Sequence, residues 1–363
     1  MSVYPIPSTE TIRANAGSNG HVAVSTFSGG GGASLGLTWA GFRVLWANEF
    51  IGAAADTYSA NFPTTPVDQS DIRAVTAETI RAVIGDVELD LFEGSPPCAS
   101  FSNAGARERH WGKTKAYSET RQRTDDLFHE YARLVGELRP RAFVAENVAG
   151  LAQGISRGYL IEIVEALQAH GYRAAVWKLD ARFLGVAQSR PRLVIVGVRD
   201  DLPGFPAKPV PVPEVPLSEA IDPTDDRFYF VRRTPGIDPW RALTEVDEYA
   251  QPSIVGFSIA PLAKQLRPGR SHPVRFSLAR CSWNAPSFCV VQIAGSVGSA
   301  SVIHPEGDRK FSVIELKRIC GFPDDYVLTG SYLQRVERLG RAVSPPMYRA
   351  VGESISAWLT TVK

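Results

Sequence analysis

Apolar positions in the N-terminal half of the chain fall into short runs, each stopped by glycine, proline or a polar residue. His21–Phe27, Arg43–Ala47, a short piece at Pro66–Gln69, Val87–Phe92, Arg141–Ala145 and Leu193–Val198 read in this way as buried strands. Between them the period changes. Leu127, Phe128, Tyr131, Leu134, Val135 and Leu138 recur at helical spacing, as do Leu160, Ile161, Val164 and Leu167. Strands alternating with helices predict an α/β fold with a doubly wound sheet. Residues 1–20 are polar and predict a poorly ordered lead-in.

The pattern breaks after Arg199. Six prolines between Pro203 and Pro216 predict a semi-rigid connector. Residues 217–310 show only short β-like or irregular pieces, as in a second, smaller domain. Ser312-Val-Ile-Glu315 reads as a capping box opening a helix that Gly321 ends. A last helix carries Met347, Val351, Ile355 and Trp358 on one face and is expected to return to the first domain. The expected division is residues 1–202, 203–326 and 327–363.

Strand ends carry the candidate chemistry. The run Ser28–Gly36 is glycine-rich and lies between the first strand and a helix, the arrangement that lets backbone N–H groups approach a nucleotide-like ligand. Glu49 follows the second strand, seventeen residues past Gly32, where an acid can bind ribose hydroxyls or simply face water. Asp71 follows the third segment, Cys98 the fourth strand, and Glu146-Asn147 the fifth. If those strands are parallel, all these groups line one sheet edge, where open α/β sheets bind ligands. Cys98 stands on a loop stiffened by Pro96-Pro97, which suits a presented nucleophile. Arg190 and Arg192 beside the sixth strand are a surface pair or donors to a ligand's oxygens.

Composition narrows the classes. At 363 residues, 44% hydrophobic and 21% charged, the chain suits two soluble globular domains. No apolar run approaches the roughly 20 residues of a membrane span, and the N-terminus lacks a signal peptide's regions. Four cysteines without a CxxC pair or metal-ligand spacing predict reduced thiols in a cytoplasm. Net charge is only +1, but its distribution is uneven. Tyr249–Pro305 contains no acid and carries Lys264, Arg267, Arg270, Arg275 and Arg280. Arg107–Arg123 sets six basic residues against two acidic ones. Such patches suit a polyanion bound at one face.

Taken in order, the motifs resemble those of the DNA (cytosine-5) methyltransferases across residues 20–363. Phe27-Ser-Gly-Gly-Gly-Gly32 is similar to the first S-adenosylmethionine motif, and Asn48-Glu49-Phe50 and Asp71-Ile72 to the ribose and adenine contacts. Pro96-Pro97-Cys98 resembles the nucleophile loop, Glu146-Asn147-Val148 the ENV motif, and Gln188-x-Arg190-x-Arg192 the QxRxR motif. Gly321-Phe-Pro-Asp324 and Gly340-x-Ala-Val343 are similar to the last two. The resemblance implies a Rossmann-like, S-adenosylmethionine-dependent methyltransferase domain with a smaller target-recognition domain.

It also implies roles. Cys98 would add to carbon 6 of a flipped-out cytosine, with Glu146 on ring nitrogen 3, Asn147 orienting that carboxyl, Arg192 on the ring carbonyl, and Arg190 with Arg192 favouring the thiolate. Phe27, Ser28, Gly29, Gly31, Gly32, Glu49, Phe50, Asp71, Ile72, Pro97, Arg341, Ala342 and Val343 would hold the cofactor. Arg107, Arg109 and Lys113 on a loop over Ser102–Arg123, with Lys264, Arg267, Arg270 and Arg275 in the smaller domain, would contact duplex DNA. The implied enzyme is a monomer that needs neither metal nor membrane, with a cognate restriction endonuclease as a partner. A tRNA cytosine-5 methyltransferase and an inactive DNA-binding relative are the alternatives.

Three positions depart from the family pattern: Ala99 for Gln, Ser-Val-Ile before Glu315 where Pro-Arg is usual, and Arg341 for Asn. An arginine at 341 would repel a cationic sulfonium but could grip an added carboxylate. Carboxy-S-adenosylmethionine, giving 5-carboxymethylcytosine, is therefore a second expected donor.

Overall fold

The computed structural model describes residues 4–97, 126–154, 156–222, 224, 225, 227 and 247–362, and the backbone of three short strands, 115–117, 120–122 and 229–231. Its strands begin with β1 (Val22–Thr26), β2 (Arg43–Asn48), β3 (Val67–Asp68) and β4 (Leu91–Gly94). After a short antiparallel pair, β5 (Lys115–Tyr117) and β6 (Thr120–Gln122), come β7 (Ala142–Val148), β8 (Tyr172–Asp180) and β9 (Pro191–Arg199). Seven of these form one sheet in the order β3-β2-β1-β4-β7-β9-β8. The first five in that order run parallel, and β9 is antiparallel to β7. The strand ends bearing Glu49, Asp71, the Pro96-Pro97 loop and Glu146 therefore share one edge.

Central strands are buried from end to end, as in a sheet covered on both faces: all four residues of β4 are buried, and so are Leu193–Val198 of β9. The helices of this part are α1 (Thr9–Ala14), α2 (Gly32–Trp39), α3 (Gly52–Asn61), α4 (Ala77–Ile84), α5 (Leu127–Leu138) and α6 (Ser156–Ala169). The expected apolar face of α5 is buried in full. That of α6 is rotated: Tyr159, Leu160, Ile163 and Leu167 are buried, while Ile161 is 48% exposed. Phe92, Phe128, Tyr131, Phe143 and Ile195 join them in one core cluster.

Residues 12–179, 191–209 and 348–363 form one compact unit, and 1–11, 180–190 and 210–347 the other. This interleaving differs from the expected blocks for a physical reason. Side chains from short, distant segments bond within the second unit. Tyr4 Oη donates to the Arg318 carbonyl at 2.6 Å, and the Thr9 N–H donates to Asp325 at 2.9 Å. The lead-in is thus tied down, and it contains α1. The fourth strand also starts later than expected, at Leu91, and just before it the Asp90 carboxylate takes the Val22 N–H (2.9 Å) and Arg141 (3.1 Å).

Within the second unit β10 (Tyr229–Val231) pairs with β11 (Ala250–Pro252), and β12 (Arg270–Ser271), β13 (Ala279–Arg280) and β14 (Val302–Ile303) form a small sheet. Its helices are α7 (Leu217–Ala220), α8 (Ala260–Lys264), α9 (Val313–Cys320) and α10 (Tyr332–Arg341). The expected capping box opens α9, and Gly321 ends it with φ 81°. Arg309 reaches the Glu315 of this box with two bonds of 2.8 and 2.9 Å. The last helix, α11 (Pro345–Leu359), belongs to the sheet unit from Tyr348 onward. There Gly352 sits against Ala40 and Leu37, and Trp358 donates to the Pro203 carbonyl at 3.0 Å.

Candidate active site

The chain turns sharply between β1 and α2. Phe27 has φ 52°, Gly29 56° and Gly31 88°. A bulky residue in the left-handed region is strained, and such strain collects where a loop must hold a functional shape. Ser28 donates its N–H to the Asn48 carbonyl at 3.0 Å. Glu49 finishes the clamp: one carboxylate oxygen accepts the Gly29 N–H and the other the Ile51 N–H, each at 2.7 Å. A Cβ built on Gly29 would meet no heavy atom within 4 Å, so the loop borders open space. Gly31 and Gly32 open α2, and Phe50 is half-buried beside Glu49. Asp71 accepts the Arg73 N–H at 3.0 Å and pairs with its guanidinium at 2.9 Å, next to the buried Ile72. A small-residue turn, open space and an acid at the next strand end fit a nucleoside-bearing cofactor.

Glu146 and Arg192 meet because of strand register. In the antiparallel pair of β7 and β9, Val148 lies opposite Arg192, so Glu146, two residues back, shares its face. Arg192 Nε lies 2.7 Å from Glu146 Oε1, and the two side chains are 12% and 11% exposed. Asn147 does something other than orient Glu146. Its amide donates to the Pro96 carbonyl at 3.0 Å and its oxygen accepts the Val148 N–H at 2.8 Å. It therefore clamps the loop that leads to the cysteine. Pro97 beside it is half-buried. Cys98 lies outside the described residues, as do the side chains of Ser102–Arg123, with Arg107, Arg109 and Lys113 among them.

Arg190 departs from the expected role. Its side chain is buried, and the guanidinium donates to the carbonyls of Val290 (3.2 Å), Gly340 (3.0 Å) and Ala342 (2.7 Å). The cation thus serves carbonyls at the end of α10, where positive charge is favourable, and holds the Gly340–Val343 segment in shape. Arg341 ends that helix, and its Nε donates to Glu337 Oε1 at 2.8 Å. Ala342 donates its N–H to the Arg338 carbonyl at 2.9 Å, and Val343 is buried.

Lys264, Arg267, Arg270 and Arg275 of the acid-free stretch are exposed. Lys264 lies 3.6 Å from Asp308. Arg280 is instead buried on the carbonyls of Ala263, His304 and Gly307.

One buried acid was not singled out from the sequence. Glu93 of β4 is 1% exposed and accepts from Ser25 Oγ at 2.6 Å. Burial, reinforced by the charge of Glu146, pushes its carboxyl up to about 8. The signal was available: a carboxylate inside the apolar run Leu91-Phe-Glu-Gly94.

The sheet order and the glycine turn define a Rossmann-like, S-adenosylmethionine-dependent methyltransferase fold. Solved structures share it. A DNA modification methyltransferase encoded within an E. coli prophage has a TM-score of 0.72 at 22% identity, covering 94% of this chain and 99% of that one. Spodoptera frugiperda DNMT2 has a TM-score of 0.63 at 17% identity, covering 92% and 99%. The sequence profile of the C-5 cytosine-specific DNA methylases matches residues 22–357, and the chain belongs to that family of enzymes. The Type II methyltransferase M1.HphI of Haemophilus parahaemolyticus is 31% identical over 339 residues, 92% of this chain and 86% of its own. M.Sau96I of Staphylococcus aureus is 29% identical over 350 residues, 92% and 75% of the two chains.

Proposed function

We propose that this enzyme transfers a methyl group to carbon 5 of a cytosine flipped out of a specific duplex DNA sequence, through a transient bond to Cys98. The observation that carries the reading is the Glu146–Arg192 pair, in which Glu146 stands on the strand whose next residue, Asn147, clamps Pro96. A carboxyl held by a guanidinium is thereby set next to the nucleophile's loop.

Carbon 5 of cytosine is too weak a nucleophile to take a methyl group unaided. The Cys98 thiolate adds to carbon 6, and the electron pair of the 5,6 double bond moves to carbon 5. Glu146 hydrogen-bonds ring nitrogen 3 and the exocyclic amine as charge builds there. Arg192 holds Glu146 and offers further N–H groups to the ring carbonyl. S-adenosylmethionine, when bound, supplies the electrophilic methyl. The glycine turn from Phe27 to Gly32, with Glu49, Phe50, Asp71 and Ile72, would hold its nucleoside. A base then takes the carbon-5 proton, and the thiolate leaves as the double bond re-forms. A target stacked in a duplex is out of reach of Cys98, hence the flipping. The chemistry asks for no metal, a monomer suffices for it, and a restriction endonuclease of the same specificity would be the natural partner.

Exposed Arg267, Arg270 and Arg275 support a polyanion as the partner, and membership of the DNA methylase family favours duplex DNA over tRNA. The carboxylated donor is the second reading, carried by Arg341. Against it, the guanidinium already pairs with the carboxylate of Glu337 at 2.8 Å. Helix pairs of this spacing are worth only about 0.3–0.5 kcal/mol, however, so a ligand carboxylate could replace Glu337.

One experiment covers these points. Duplex DNA and bulk tRNA are each incubated with S-adenosylmethionine and carboxy-S-adenosylmethionine in competition, followed by nucleoside mass spectrometry. The expected product is 5-methylcytosine in DNA alone, and product in tRNA alone would overturn the substrate. 5-Carboxymethylcytosine that disappears in Arg341→Asn would establish the carboxylated donor.

A further inference from the structure

Glu93 has no part in the steps above, yet its carboxyl touches both elements that those steps require. On one side the Ser25 hydroxyl donates to Glu93 Oε2 at 2.6 Å, and Ser25 Oγ lies 2.8 Å from Ser28 Oγ, in the glycine turn. On the other side Ser95 Oγ approaches Glu93 Oε1 to 3.5 Å, one residue before Pro96-Pro97. Register explains the placement: Glu93 lies opposite Ser25 of β1 and Val144 of β7, so the three side chains share one face.

The site is dry. Ser25 is fully buried, Glu93 is 1% exposed and Ser28 is 7% exposed. Among the described residues no lysine, arginine or histidine forms an ion pair with Glu93. The charge it feels is that of Glu146 from β7, and the other titratable groups that face it are Tyr58 from α3, Tyr131 from α5 and Tyr348 from α11. None of them is a cation. An acid so placed keeps its proton at neutral pH, so it can donate as well as accept. A chain of groups that each donate and accept transmits a change at one end to the other.

We propose that Glu93 is a positioning residue that couples the cofactor turn, through Ser25 and Ser28, to the nucleophile loop, through Ser95. This rests on the reading of Phe27–Gly32 as the cofactor turn and of Cys98 as the nucleophile. Cofactor binding then changes how Cys98 is held, before any DNA is present.

The test measures that linkage directly, apart from turnover. The full chain is alkylated with iodoacetamide with and without S-adenosylmethionine, and the Cys98 peptide is followed by mass spectrometry. Calorimetry reports cofactor affinity in parallel. In the wild type the cofactor should change the Cys98 rate by about 5-fold or more, the lower end of ordinary coupling between sites. Glu93→Gln keeps both hydrogen-bonding functions and should keep the linkage. Glu93→Leu should lose it while still binding cofactor, and Ser25→Ala, which severs the same link without adding an apolar side chain, should match it. A wild-type Cys98 rate that ignores the bound cofactor would overturn the proposal, as would full linkage in both Glu93→Leu and Ser25→Ala. Wild-type protein that binds no S-adenosylmethionine would overturn the cofactor reading as well.

Discussion

Arg192 Nε lies 2.7 Å from Glu146 Oε1, and each side chain is only about a tenth exposed, at 12% and 11%. Two charges this far out of water depend on each other more than a surface pair does. Arg192→Met should therefore cost stability, up to about 3 kcal/mol, and should abolish transfer. Adding Glu146→Gln should restore most of the stability and none of the transfer. Chemical denaturation of the two single variants and the double variant checks this. Additive losses would mean that the pair is not coupled.

Asn147 makes a separate prediction, because its amide holds Pro96 rather than Glu146. Asn147→Ala should lower kcat by about 100-fold, the usual effect of misplacing a reacting group by an ångström, and leave S-adenosylmethionine affinity unchanged. A change confined to cofactor affinity would refute the clamp.

The Glu93 carboxyl is raised from 4.5 to about 8 by burial. The folded chain keeps a proton that the unfolded chain releases above 4.5, so this group's contribution makes stability fall as pH rises from 4.5 to about 8. Glu93→Gln removes that slope. Its stability relative to wild type should improve by a few kcal/mol, to order of magnitude, between about pH 5 and about pH 7. Staying at or below pH 7 avoids Lys310, whose amine burial lowers from 10.5 to about 7 and whose contribution rises with pH above that. Equal slopes in wild type and variant would show that Glu93 is ionised throughout.

The sheet edge was legible in the sequence because its strands are short apolar runs stopped by glycine, proline or a polar residue. That is how Glu49, Asp71 and Glu146 could be grouped before any coordinates. What could not be read is which distant backbone a side chain serves. Arg190 looks the same on paper whether it faces a base or the carbonyls of Gly340 and Ala342. The interleaving of residues 180–190 with the second unit follows from such bonds, and no local pattern encodes them. Asp90 is likewise satisfied from a distance, by Val22 of β1 and by Arg141 just before β7.

Arg270 and Arg275 are exposed, and neither forms an ion pair among the described residues. If they contact phosphates, each charge reversal should weaken DNA binding and lower the slope of log affinity against log salt by about 1. Fluorescence anisotropy across a salt series measures both quantities. Unchanged slopes would place this stretch away from DNA.

Transfer by this route requires a covalent bond from Cys98 to the target base. A pool of duplexes carrying 5-fluorocytosine blocks the last step, because the fluorine cannot leave as a proton does. Incubated with enzyme and S-adenosylmethionine and digested, it should yield one cross-linked peptide, the one containing Cys98, and none from Cys98→Ser. A cross-link at Cys281, Cys289 or Cys320, or full activity in Cys98→Ser, would contradict it.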